Sequence, residues 1–416
     1  MFRKALVYII PLVVLCCIYA GSGQAGKVQP ENVPLRSEDR EMVKAINTFT
    51  FDLFKEIVAN EGFENVFISP FSVSYALGMT YNGARGTTAE AMADVLKYGG
   101  LDNQMVNETY RNLRERLLQL DPKVIIEIAN SIWYRQGFAV DQMFLDINNE
   151  YFDSRVAGLN FNDPGAADII NKWVSEATHG KIKGMISPPI DPLMMMYLVN
   201  AIYFKGTWDS EFKESRTRPE PFYPADGPQI NCDMMHQTSD YSFFIHPDYT
   251  VIDMPYGNGS FSMAAFLPAE GMGVNELIVK LDEDSWSKLG TMMSRDEVKL
   301  YLPKFKLEYK LKMNEVLQAL GMEIAFIPRK ADFSGISAVG DTLYISEVLH
   351  KTFVQVDEKG TEAAAATSVG VMALSAMPME PIVIRFDRPF VYVIYDKTSG
   401  TILFIGKIEE PKWEEG

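Results

Sequence analysis

The chain has 416 residues, 47% of them hydrophobic and 12% aromatic, with a formal net charge of -16. That suits one large globular domain or two ordinary ones. The charge excludes nucleic acid and anionic membrane surfaces as bulk electrostatic partners.

In chain order, Phe2-Arg3-Lys4 is a short basic start, followed by the apolar run ALVYIIPLVVLCCIYA over residues 5–20 and the small-residue stretch GSGQAGK. This predicts an export signal over residues 1–25, cleaved after Ala20 or Ala25, and a secreted, extracellular product. An uncleaved membrane anchor is the alternative, because the run nearly reaches spanning length. Cys16 and Cys17 lie in this segment, which leaves Cys232 alone and no intrachain disulfide. Residues 26–40 read as a flexible lead, and a single domain is expected over 41–416.

Helical spacing begins near Glu41 with Met42, Ile46, Phe49, Leu53 and Ile57. Ser69 is placed to cap a buried helix whose first residue is Pro70. Thr87-Thr-Ala-Glu90 predicts a capping box. Residues 105–119 form an amphipathic helix, VIIEIANSIWY a central strand, ADIINKWVSEATHGKI a helix stopped by Gly180, and MMMYLVNAIYFKGTW a strand buried on both faces. Several short strands are expected from Asp233 to Pro268, one strand over EVKLYLPKFKLEYK, and a helix ending at Gly321. A short helix and a strand share LYISEVLHKTFVQVDEKG. IVIRF, FVYVIYD and TILFIGKI close the chain as strands. Asn107-Glu-Thr109 and Asn258-Gly-Ser260 are glycosylation sequons. No linker or repeat divides the chain, so the pattern predicts α+β architecture on mostly antiparallel sheets.

Catalytic motifs are missing. His179, His236, His246 and His350 fall in no HExxH, and neither CxxC, GxSxG nor GxxxxGK[ST] occurs. Cys232 and His236, four apart, are a weak metal pair, and no metal, cofactor or enzyme activity is expected.

One stretch stands out. DEKGTEAAAATSVG, residues 357–370, opens an uncharged run from Ala363 to Met379 in a chain that is 23% charged. Drawn as a strand, residues 361–372 put Thr361, Ala363, Ala365, Thr367, Val369 and Val371 on one face. Glu362 falls on the other with Ala364 and Ala366. The first face can enter a sheet without burying charge, and twelve residues make about 40 Å of strand.

The chain resembles the serpins. The resemblance rests on NVFISPFSVSYAL, INKWVSEATHGKI, LVNAIYFKGTW, LYLPKFKLEY, DFSGIS, LHKTFVQVDEKGTEAAAAT and RPFVYVIYDKTSGTILFIGKI. It implies three β-sheets with eight or nine helices, an exposed reactive loop at about 358–380, and a metastable fold. It also implies a monomer that inhibits a serine protease as a suicide substrate. The protease attacks the loop, forms an acyl-enzyme, and is trapped when the cleaved loop inserts into the main sheet. Family spacing places the attacked bond between Leu374 and Ser375, with Met372 and Met377 as rivals. It makes Gly360, Thr361, Glu362, Ala363, Ala364, Ala365 and Ala366 the hinge. Ser72, Asn200 and His350 match the "shutter", and Trp208, Lys304 and Glu358 the "breach". Leu374 implies a chymotrypsin-like or subtilisin-like target. The helix at 105–119 carries three arginines among two glutamates, so heparin is not an expected partner. A non-inhibitory member (carrier, storage protein or chaperone) is the alternative.

Overall fold

The computed structural model describes residues 35–192, 194–338, 343–361 and 381–413. The export segment, most of the lead, and the expected loop from Glu362 through Ala363, Ala364, Ala365 and Ala366 to Leu374 and Ser375 lie outside them.

Helix α1 spans Ser37–Glu61, so it starts inside the stretch assigned to the lead. The Asp39 carboxylate accepts from the Arg36 amide and guanidinium and closes the first turn. β1 (Val66–Ile68) leads to α2 (Pro70–Tyr81), where the Ser69 hydroxyl accepts from the Ser72 amide as predicted. The expected box at Thr87 does not form. α3 (Gly86–Val95) begins one residue earlier, and Thr88 turns inward, its hydroxyl accepting from the Asp332 amide. α4 (Asn103–Gln119), β2 (Val124–Arg135), α5 (Gln142–Phe152), β3 (Arg155–Leu159), α6 (Ala166–Ala177) and β4 (Met196–Thr207) follow. The first nine residues of β4 are all buried.

After β5 (Arg218–Phe222), the expected short strands are partly replaced by one long β6 (Ile230–Ile245). Its length is held by three partners: β5 at one end, β7 (Tyr249–Tyr256) at the other, and β9 (Ser294–Pro303) along the middle. β8 (Phe261–Pro268), α7 (Val274–Lys280) and α8 (Glu283–Met292) precede β9. The single strand expected over 297–310 divides at Lys304. Its amide donates to Asp233 O, and β10 (Phe305–Lys312) turns away into the other sheet. α9 (Asn314–Leu317) continues as one π-turn to Met322, with Gly321 at φ +116°, a conformation that favours glycine. The short helix expected near residue 345 is absent. Residues 347–357 are all strand β11 (Glu347–Asp357), claimed by ladders to β10 and β4. β12 (Gly360–Thr361), β13 (Ile382–Arg385), β14 (Phe390–Asp396) and β15 (Ile402–Ile408) complete the chain.

The six-stranded sheet runs β10-β11-β12-β4-β2-β3. The nine-stranded sheet runs β1-β15-β14-β8-β7-β6-β9-β13, with β5 on β6. The resemblance implies three sheets; β6 passes through two of them and hydrogen-bonds them into one. The fold is α+β, with nine α-helices among the described residues. Its main core packs both sheets with α1 and α2, and a smaller cluster of Trp133, Ile170, Val174, Tyr197 and Val199 seats α6 on the six-stranded sheet.

Both sequons are committed to packing. Asn107 is buried and exchanges amide hydrogen bonds with Asn82, and Asn258 donates to Leu120 O. Cys232 and His236 both lie on β6, where four residues span about 13 Å. That separation is too long for a shared metal ion.

Candidate functional site

The six-stranded sheet is forked. At one end β11 and β4 pair directly and in parallel, residues 347–351 against 197–201. At the other end β12 lies between them: Thr361 is partnered by Val356 and Gly206, and Gly360 by Asp357 and Thr207. Between these ends, residues 352–355 of β11 and 202–205 of β4 have no ladder to each other among the described residues.

Chemistry fixes how β12 sits. Thr361 points inward, is 1% exposed, and its hydroxyl lies 2.7 Å from the Tyr256 hydroxyl. Gly360 has φ +145°, and a Cβ there would fall 2.1 Å from Gly206 O. Only glycine fits, because the backbone of β4 occupies the space a side chain would need. The turn before it is pinned at several atoms. The Trp208 indole donates to Asp357 O at 2.9 Å, the Trp208 amide to Lys359 O, and the Phe212 amide to Glu358 O. Trp208 stacks on Tyr256 at 4.4 Å.

Lys304 and Glu358 meet at 3.1 Å with side chains 17% and 8% exposed, so the pair is largely buried. Burial raises the Glu358 carboxyl, but hydrogen bonds from Thr217, the backbone and Lys304 outweigh it and hold it below the usual range. Lys304 sits at the break between β9 and β10 and also lies 4.5 Å over the Trp413 ring. Trp208, Lys304 and Glu358 thus converge on the turn that delivers β12.

A second polar group lies under the closed end of the fork. Asn130, Asn200 and His350 are cross-strand partners on β2, β4 and β11. The Asn200 amide donates to Ser72 O at 2.7 Å and to Asn130 Oδ1 at 2.5 Å, and also contacts the Ser72 hydroxyl. His350 Nε2 accepts from the Ser69 amide at 3.0 Å, so Nδ1 carries the proton and donates to Asn200 Oδ1 at 2.7 Å. Full burial pushes the imidazole down to about 3, so it stays neutral. Ser72, Asn200 and His350 come together, joined by Ser69, which the sequence marked only as a helix cap, and by Asn130, which it did not single out. Asn130 carried a signal: a lone amide amid the apolar strand VIIEIANSIWY must find a buried partner.

The described hinge residues are Gly360 and Thr361; the other hinge positions and the Leu374 and Ser375 bond lie outside the described residues.

This is a sheet with a short strand seated in a fork above a hydrogen-bonded polar row. Residues 44–411 match the family model described as serpin, serine protease inhibitor. A serpin-like protein of Thermococcus kodakarensis is 39% identical, over 90% of this chain and 87% of its own. The native structure of the thermophilic serpin tengpin is 33% identical, with a TM-score of 0.82, over 91% of this chain and 95% of that one. Human thyroxine-binding globulin, solved with thyroxine, is 27% identical, also with a TM-score of 0.82, over 91% of this chain and all of that one. The chain belongs to the serpin family.

Proposed function

We propose that this protein is an irreversible suicide-substrate inhibitor of serine proteases with an apolar primary pocket. The observation that carries this reading is β12, a two-residue strand already seated between β4 and β11, directly beyond which residues 352–355 and 202–205 have no ladder to each other among the described residues. The attacking serine oxygen bonds to the Leu374 carbonyl carbon, the bond to Ser375 breaks, and the released amine takes the proton. Leu374 remains esterified to the protease. Residues 362–372 then follow Thr361 into the fork, and the acyl-enzyme is carried with them before water can cleave it. Met372 and Met377 are rival positions for the attack.

In this reading the polar row of Asn130, Asn200 and His350 lies where β4 and β11 must part. Its bonds exchange partners rather than being lost, because buried polar groups left unpaired would cost about 1–3 kcal/mol each. Heparin is not an expected partner in this reading. Arg111 lies 3.6 Å from Glu150 and Arg116 3.6 Å from Asp396, and Arg114 is paired with Asp153, so α4 presents no uncompensated basic face. The basic start and apolar run of residues 5–20 support export with cleavage before residue 26, and the inhibitor acts as an extracellular monomer.

Mixing residues 26–416 with chymotrypsin tests this. The expected result is a complex stable on a denaturing gel and a released peptide beginning at Ser375. A different peptide start moves the bond. Cleavage without a complex, by chymotrypsin and by subtilisin, overturns the inhibitor reading.

A carrier role is the second reading, favoured by a cavity of about 490 Å³ between α1, α8 and the β14 to β15 turn, lined in part by Lys44, Asn47, Trp286 and Tyr395. Calorimetric titration with thyroxine as probe checks it, and an absence of heat and saturation counts against it.

A further inference from the structure

Across the outer face of β6, β9 and β13, His236, Tyr301 and Arg385 form one cross-strand row. The Arg385 guanidinium lies 3.6 Å over the Tyr301 ring, with Lys299 Nζ at 5.4 Å and the His236 ring stacked at 5.3 Å. Arg216 and Arg218 are exposed beside them, on the turn into β5 and its first residue. Four cations share this face, and Glu220, paired with Arg385, is the carboxylate among them. Arg216, Arg218 and Lys299 have no carboxylate within ion-pair distance among the described residues. His236 Nδ1 is buried without a hydrogen-bond partner. Burial, then Arg218, Arg216 and Lys299, depress its protonation against the pull of Glu220, so the ring adds no further charge. The patch ends at Glu297, two places along β9 from Lys299. On a chain of net charge -16 it is an island of the opposite sign.

We propose that this face docks an acidic loop at the cleft rim of the attacking protease, so that charge as well as Leu374 selects the target. The proposal rests on the inhibitor reading. Its physical basis is position: β13 begins at Ile382, eight residues past Leu374, and eight extended residues span at most about 29 Å. That is about the width of a small domain, so a protease seated on the bond can reach the patch. A half-buried cation held over an aromatic ring, with neighbours that lack carboxylates within ion-pair distance among the described residues, suits a carboxylate-rich surface. A free polyanion is disfavoured by the acidic remainder of the molecule.

The experiment uses one serine protease with an apolar pocket in two forms, with its acidic rim loops intact and with those residues changed to Asn and Gln. The inhibitor is wild type or carries Arg218→Glu with Lys299→Glu. With the acidic protease the substitutions are expected to lower the association rate constant about tenfold or more at low salt. The difference should close between about 0.1 and 1 M salt, where the Debye length falls from about 10 to 3 Å. With the neutralised protease the two inhibitors should agree within about twofold, and stoichiometry should be unchanged. An equal fall with both proteases, or no fall with either, overturns the proposal. So does binding of a heparin oligosaccharide that the substitutions abolish while the protease rates stay put. If neither protease forms a covalent complex, the inhibitor reading fails separately. Docking is then read from equilibrium binding of the same proteases with the nucleophile changed to Ala. Tighter binding of the acidic form upholds docking, and equal binding of both forms overturns it.

Discussion

His350 makes stability depend on pH in a window that opens well above the range of ordinary carboxylates. Its folded value is depressed to about 3 from the ordinary 6.5 of a free imidazole. The unfolded chain therefore binds the proton first. The neutral ring's contribution is fully present above about pH 6.5 and is lost progressively as pH falls toward 3. At pH 5 the loss is about 1.5 pH units, or about 2 kcal/mol. The local reason is direct: a proton on Nε2 would face the Ser69 N–H, donor against donor. For 416 residues the unfolding entropy is roughly 0.9 kcal/mol per kelvin, so the midpoint should drop by about 2 °C from this group alone. Thermal unfolding of the wild type and His350→Gln at pH 7.5 and pH 5 isolates it, since other titrating groups are common to both. Gln can still donate to Asn200 and accept from Ser69. The wild type should lose about 2 °C more than the variant between the two pH values. Equal losses, or a larger loss in the variant, would refute the assignment of His350 as a buried neutral imidazole.

Three further outcomes follow from the fork. Gly360→Ala places a Cβ against Gly206 O and should expel β12; hydrogen exchange at Thr361 and its β4 neighbours should speed up while the lower β4 to β11 ladder stays protected. On the proposed inhibitor function, Thr361→Arg should turn trapping into plain cleavage on the gel assay, because a buried unpaired guanidinium costs several kcal/mol; unchanged trapping stoichiometry would sink the inward assignment. Glu358→Gln leaves Lys304 partly buried without its counter-charge and should destabilise by on the order of 1–3 kcal/mol. Because the carboxyl is held low, the wild-type advantage should be present above about pH 4.5 and fade as acid protonates Glu358, which denaturant midpoints across that range would show.

Much of this was readable from residue patterns. β4 and β14 are long apolar strands because both faces are covered, and α2 is capped as its Ser-Pro start dictates. What patterns missed were decisions made by distant partners. EVKLYLPKFKLEYK looks continuous locally, yet Lys304 bonds to Asp233 and the chain changes sheets there. The helix expected within LYISEVLHKTFVQVDEKG is lost because β10 and β4 claim the backbone groups of residues 347–356. Thr88 accepts from the Asp332 amide, 244 residues away, rather than capping its own helix. The inward parity of Thr361 was legible because a strand has a period of two and only small uncharged residues fill one face. The second amide of the buried row, Asn130, was visible only as an anomaly in an apolar run.

The two residues of β12 also set what any further strand can be. Growing a zipper is easy once its first tooth is engaged; the costly steps are finding the slot and choosing the alignment. Here the tooth is cut by Gly360, whose missing side chain admits one alignment, and clamped by Trp208 from behind. Every residue added after Thr361 inherits that phase. A slip of one position would exchange the two faces and turn Glu362 inward. If insertion extends β12 through residue 372, the alignment of about 40 Å of strand is stored in a contact smaller than a single side chain.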